Sequence, residues 1–202
     1  MKELLKNNYI IVKKFIGEQH AKDLSTDFYD KNRKDGKPCG QVEDSTAFYK
    51  PIESSEVHTY ECAKLSQILS QNLLPTYSYV RLYKTGNILK KHTDRPACEI
   101  SVTVHLDGDT DWPIWIKTPE GKDASVTLQS GDAMVYCGCF APHWRTEYTG
   151  ENYSQMFLHY VRSRGSFGYL GLSDSNDTFR KEVQSYSPFE LKNILMQDYR
   201  FL

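Results

Sequence analysis

"TYSYVRLYKTGNILKKHTDRPACEISVTVHLDGD", Thr76–Asp109, is where the chain changes character. Within it, "ISVTVHL" (Ile100–Leu106) alternates strictly between apolar and polar residues, the period of a β-strand. "TYSYVRLYKTG" (Thr76–Gly86) is rich in aromatic and β-branched residues and ends on a glycine turn. Similar short runs follow: "WPIWIKTPEG", "ASVTLQSGD", "AMVYCG", "HWRTEYTGE" and "YSQMFLHYVR". Gly, Asp and Pro separate them at close to the roughly 8–12-residue spacing of an all-β sandwich or barrel.

Upstream the pattern is mixed. "YIIVKKFI" (Tyr9–Ile16) predicts a strand ended by Gly17, and "GEQHAKDLSTDFYDKNRK" predicts a helix. "KNRKDGKPCGQ" (Lys31–Gln41) reads as a polar loop. Ser54–Leu73 has apolar residues at helical spacing, with Ser54 and Ser55 as candidate caps and Pro75 as the stop. The tail, Ser187–Leu202, predicts a capped amphipathic helix. Helices, then about eight strands, then a helix make an α+β chain with a jelly-roll-like core.

The 202 residues suffice for one domain with its own core. A net charge of −1 gives no electrostatic case for a nucleic-acid or membrane partner. No apolar run reaches the roughly 18 residues of a membrane span, and "MKELLKNNYIIVKKFIG" lacks the apolar stretch of a signal peptide. Five cysteines, an odd number without a regular framework, suit a reducing, cytoplasmic setting.

"KKHTDRP" (Lys90–Pro96) holds His92 and Asp94 one residue apart. On a strand, residues i and i+2 share a face, so both side chains can converge on one ion. Two histidines and one carboxylate on one face of an ion is the arrangement of non-haem iron(II) oxygenases. The bland alternative is a solvated strand end. A third ligand is expected from a later, neighbouring strand, where both His143 and His159 lie. His20 and His58 fall in predicted helices, away from the barrel.

From Tyr77 to Val161 the order "YVRLYKTGNILKKHTDRP", "ISVTVHLD", "WPIWIKTPEG", "SGDAMVYCG…PHW", "TGENYSQMFLHYV" resembles the iron(II)/2-oxoglutarate dioxygenases, in their prolyl-4-hydroxylase-like branch. "YIIVKKFIGEQHAKDL" resembles that branch's opening strand, turn and helix. The resemblance implies a double-stranded β-helix over about 77–161. Helical support over 1–76 would pack on its major sheet, and 162–202 would extend the same single domain. It also implies Fe(II), 2-oxoglutarate and O2 as cofactor and cosubstrates, and hydroxylation of a small-molecule or peptidyl substrate. It assigns the metal to His92, Asp94 and His143, preferring His143 over His159 because the distal histidine follows the "GDA" strand. Asp94 stands where related halogenases lack a carboxylate, which favours hydroxylation.

One element of the pattern is missing. The family's basic residue for the far carboxylate of 2-oxoglutarate would fall at Asn152 or Tyr153. Arg145 is the first substitute, since it shares a strand face with His143; Lys117 and Arg81 follow. Tyr83 and His105 sit where relatives hydrogen-bond the cosubstrate, or simply fill the barrel. Trp112, Trp115 and Trp144 line a cavity or pack. A zinc site at Cys137 and Cys139 with Cys39, Cys62 or Cys98 is disfavoured by the absence of any CxxC pair and by poor spacing. The missing basic residue supports a rival, a cupin-like metal enzyme that does not use 2-oxoglutarate. A non-catalytic β-barrel binding module is the third reading.

Overall fold

A computed structural model describes residues 1–30 and 33–171. Seven strands form a mixed-order antiparallel sheet and four form a second, smaller one. The major sheet runs β1 (Tyr9–Val12), β9 (Ala133–Tyr136), β6 (Ile100–Gly108), β11 (Asn152–Arg162), β4 (Leu73–Lys84), β3 (Thr46–Tyr49) and β2 (Lys37–Pro38). The minor sheet runs β5 (Leu89–His92), β10 (His143–Arg145), β7 (Ile114–Lys117) and β8 (Asp123–Val126). From β4 to β11 the chain alternates between the two sheets, except that β7 and β8 form a hairpin within the minor one, which makes the expected double-stranded β-helix.

Helix α2 (Glu18–Tyr29) packs on β6, and α3 (Ile52–Leu69) packs on β4 and β11. These helices cover the outer face of the major sheet, so its central strands β6 and β11 are buried on both sides. In β6, Val102, Val104 and Leu106 join a core with Ala21, Leu24 and Phe28 of α2. The intervening polar residues point the other way, into the barrel. Ser101 meets Asp94, Thr103 meets Gln155, and His105 stacks on Tyr153. The strict alternation of "ISVTVHL" is thus real, but its polar face looks inward. A second, smaller core of Tyr83, Leu89, Trp112, Tyr148, Tyr153 and Phe157 fills the barrel's interior.

Several boundaries differ from the sequence reading. β1 stops at Val12, because Asp132 accepts hydrogen bonds from Lys13 Nζ (2.7 Å) and the Lys14 amide (3.0 Å) and turns the chain there. α3 begins at Ile52, and Ser54 and Ser55 do not cap it. Both hydroxyls instead donate back to the Pro51 carbonyl, at 3.1 and 2.9 Å. Its end is Ser70 in the left-handed conformation, and Pro75 lies inside β4. Opposite Pro75, at His159/Tyr160, β11 changes register. The short elements α1 (Lys2–Asn7), β2, β3 and β5 carry too few residues to show a period. The tail helix expected at Ser187–Leu202 lies outside the described residues.

Gly131 makes the tight turn before β9 with φ of 86°, and a Cβ there would sit 2.6 Å from the Ile16 carbonyl oxygen. That turn sets β9 beside both β1 and β6. No helix among the described residues is long and apolar enough to cross a membrane.

Candidate metal centre

Strand pairing builds the centre. β10 lies antiparallel to β5 with His143 directly opposite His92. Directly opposed residues project from the same face, so the two imidazoles meet with ring centroids 4.3 Å apart. Asp94 follows β5 by two residues, and its amide donates to the Gly138 carbonyl at 2.9 Å, which fixes the loop. Asp94 Oδ1 then lies 3.5 Å from His92 Nε2 and 3.6 Å from His143 Nε2. The ligand atoms of these three residues all fall within 4.8 Å of one another.

Hydrogen bonds set the tautomers. His92 Nδ1 lies 2.7 Å from the Lys90 carbonyl, and His143 Nδ1 lies 3.0 Å from that of Ala141. A carbonyl only accepts, so each Nδ1 carries the proton and each neutral ring turns its Nε2 lone pair toward Asp94. Asp94 Oδ2 accepts from Ser101 Oγ at 3.0 Å, leaving Oδ1 for the shared point. Such outer partners orient ligands in metal sites.

The charges are coupled. Burial pushes the Asp94 carboxyl upward, but the imidazoles of His143 and His92 more than offset this and hold it well below the usual range. Burial alone would lower His92, yet Asp94 stabilises the protonated ring, whose Nε2–H can donate to it, and this raises His92 above its ordinary value. His143 is lowered, chiefly by burial.

Gly138, between the two cysteines of "CGC", is required by this packing. A Cβ there would lie 2.4 Å from Ser101 Oγ and 2.5 Å from Asp94 Oδ2. Cys137 and Cys139 belong to no metal-ligating cluster among the described residues.

A cavity of about 270 Å³ opens onto the three ligands. Its walls include Tyr49, Tyr77, Tyr79, Arg81, Arg95, Gln41 and Phe157. Of the three cations weighed from the sequence, the one that lines it is Arg81, which ranked last; Arg95, not weighed there, lines it too. Arg81 is 4% exposed; it donates to Tyr83 Oη at 3.0 Å and Gln41 Oε1 at 2.7 Å, and its Nε has no partner. Among the described residues no carboxylate lies within ion-pair distance of it.

Arg145 points inward, as its strand position predicts, but it does not line this cavity. It is packed between Trp112 and Tyr153 and donates to the Trp112 carbonyl and to Gln155 Oε1. Lys117 lies outside the cavity, paired with Asp123 at 2.7 Å. Tyr83 sits behind Arg81 as its hydrogen-bond acceptor. His105 stacks on Tyr153 with ring centroids 4.5 Å apart; its Nδ1 is buried without a partner, and burial pushes it down to about 4. Trp112 fills the barrel, whereas Trp115 and Trp144 stack on each other, with Lys91 over Trp144. Ser101 and Gln41 were missed: Ser101 shares the His105 face of its strand, but Gln41 lies in a loop with no periodic signal.

Comparison with known proteins gives fold and little else at the level of sequence. No protein-family model and no curated protein matches the chain. Solved structures do match. A prolyl-4-hydroxylase from Pseudomonas putida superposes with a TM-score of 0.63 at 13% identity, covering 80% of this chain and 96% of that one. HygX from Streptomyces hygroscopicus, solved with nickel and 2-oxoglutarate bound, gives 0.65 at 10% identity, covering 81% and 86%. A prolyl hydroxylase from Trichoplax adhaerens, in complex with a hypoxia inducible factor peptide fragment, gives 0.64 at 12%, covering 81% and 87%. The chain therefore has the double-stranded β-helix fold of these oxygenases. Its structural likeness extends alike to prolyl hydroxylases and to HygX solved with hygromycin B bound.

Proposed function

We propose that this protein is an iron(II)- and 2-oxoglutarate-dependent oxygenase that hydroxylates an unactivated C–H bond of a small-molecule or peptidyl substrate. One observation carries the reading: a two-histidine, one-carboxylate set and a buried arginine with no carboxylate partner among the described residues share one cavity. The set fits the ion. Two donors about 2.1 Å from a common ion and at right angles stand about 3 Å apart, so separations of 3.5 and 3.6 Å need only a small contraction. Two imidazole nitrogens and one carboxylate on one face suit iron(II) and leave other positions open. The chemistry that bound iron(II), 2-oxoglutarate and O2 supply together is decarboxylation to succinate and CO2, with one oxygen atom passed to the substrate.

The residues' own tasks follow from their places. His92, Asp94 and His143 hold the ion, and the Lys90 and Ala141 carbonyls keep both rings aimed. Arg81 binds the far carboxylate of 2-oxoglutarate, in place of the basic residue absent at Asn152 and Tyr153. A buried guanidinium lacking an anionic partner is costly, and a carboxylate ligand relieves that cost with charge-assisted bonds. Gln41 and Tyr83 hold Arg81 in position. Tyr136 and Phe157 line the cavity wall and keep water from it.

The test is anaerobic addition of iron(II) and 2-oxoglutarate, followed by a substrate screen read by succinate release. A visible charge-transfer absorption that requires both additions is expected. Its absence, with iron bound, would turn the reading to a metal enzyme that does not use 2-oxoglutarate.

A further inference from the structure

Asp94 has a second set of neighbours on its other side. Asp94, Cys98 and His159 each offer a ligand atom, and these atoms also lie within 4.8 Å of one another. Three separate elements supply them: the loop after β5, the 3-10 turn Pro96–Cys98, and β11 just before its register shift. Cys98 is 1% exposed and His159 6%. Ser101 Oγ bridges the group, 3.0 Å from Asp94 Oδ2 and 3.0 Å from His159 Nδ1, while Tyr77 Oη lies 3.1 Å from Cys98 Sγ. The carboxylate is thus shared, with Oδ1 toward His92 and His143 and Oδ2 toward Ser101.

The two sets differ in softness. The first offers two nitrogens and an oxygen; the second offers a sulfur, a nitrogen and an oxygen. A thiolate ligand favours zinc or cobalt in a four-coordinate site over a hard oxygen-loving ion. We propose that Asp94, Cys98 and His159 form a second metal site, taking a thiophilic divalent ion such as zinc, that competes with the first for Asp94. On binding, the Cys98 thiol releases its proton to the solvent. Occupation is exclusive, because among the described residues of the two sets only one carboxylate and one thiolate would offset two divalent ions. Zinc at the second site takes the sole carboxylate from the first. The existence of this site stands apart from the oxygenase reading; only its consequence, inhibition by zinc, rests on it.

The whole chain, stripped of metal by a chelator, is titrated with cobalt(II) under anaerobic conditions. In His92→Ala, where the first set is crippled, a thiolate-to-cobalt charge-transfer band at one thiolate per ion is expected. The double variant His92→Ala/Cys98→Ser should lose it while keeping its circular dichroism. No band in His92→Ala, or a band that survives in the double variant, overturns the site. The second arm measures zinc inhibition of succinate release. Cys98→Ser should raise the half-inhibitory zinc concentration at least tenfold. Equal inhibition with and without Cys98 overturns the competition and places zinc on the first set. If no succinate forms in any variant, the oxygenase reading fails, and the cobalt spectra still decide the second site.

Discussion

Replacing Arg81 with Met separates a ligand-binding arginine from a structural one. Arg81 is buried, donates to Tyr83 and Gln41, and leaves Nε unpartnered. A hydrogen bond to a charged group is worth about 1.5–3 kcal/mol. At about 1.4 kcal/mol per decade, its loss should raise the KM for 2-oxoglutarate roughly 10- to 150-fold. Stability should change little, within about 1 kcal/mol, because removing a buried cation that has no carboxylate partner among the described residues offsets the lost bonds to Tyr83, Gln41 and, at 3.5 Å, Tyr79. Arg145→Met supplies the contrast. It strands the Trp112 carbonyl and Gln155 Oε1, and each buried orphan costs about 1–3 kcal/mol. That variant should lose stability by about 2–6 kcal/mol, summing two such losses, with its KM for 2-oxoglutarate nearly unchanged. Denaturant unfolding and initial-rate succinate assays on both variants read all four quantities. An unmoved KM in Arg81→Met together with a raised KM in Arg145→Met would refute the assignment and return the role to Arg145.

Single alanine replacements of His92, Asp94 or His143 should each lower iron occupancy and abolish turnover while leaving the far-ultraviolet circular dichroism intact; elemental analysis and succinate assays check this. Metal loading should weaken on acidification, because a proton on His92 competes with the ion. In the metal-free protein His92 is raised, so its pairing with Asp94 stabilises the fold below about pH 6.5 and fades as pH rises through the raised value. The Tm increase produced by manganese(II) should therefore be larger at about pH 8 than at about pH 6, and an equal shift at both would contradict the coupling. Gly138→Ala should cost about 1–3 kcal/mol by overpacking. It should also weaken metal binding, since the new methyl strikes Ser101 Oγ and Asp94 Oδ2; isothermal titration with manganese(II) measures it.

The sequence by itself carried the features that depend on near neighbours. The strand period of "ISVTVHL", the turns that separate the β runs, and the i, i+2 placement of His92 and Asp94 are all short-range, and each stands in the fold. The family resemblance carried by the order of elements around them pointed to the double-stranded β-helix and to His143, which the β5–β10 register sets opposite His92. Tertiary structure decided the rest, because the rest depends on which strands become neighbours and on which side chains fill the barrel. Arg145 and Arg81 both point inward; packing of Trp112 and Tyr153 around Arg145 consumes it and leaves Arg81 to the cavity. Ser101 and His159 are 58 residues apart and meet only because β6 and β11 pair. No local pattern encodes that meeting. It follows from sheet closure, which gives Asp94 a different partner set for each of its two oxygens.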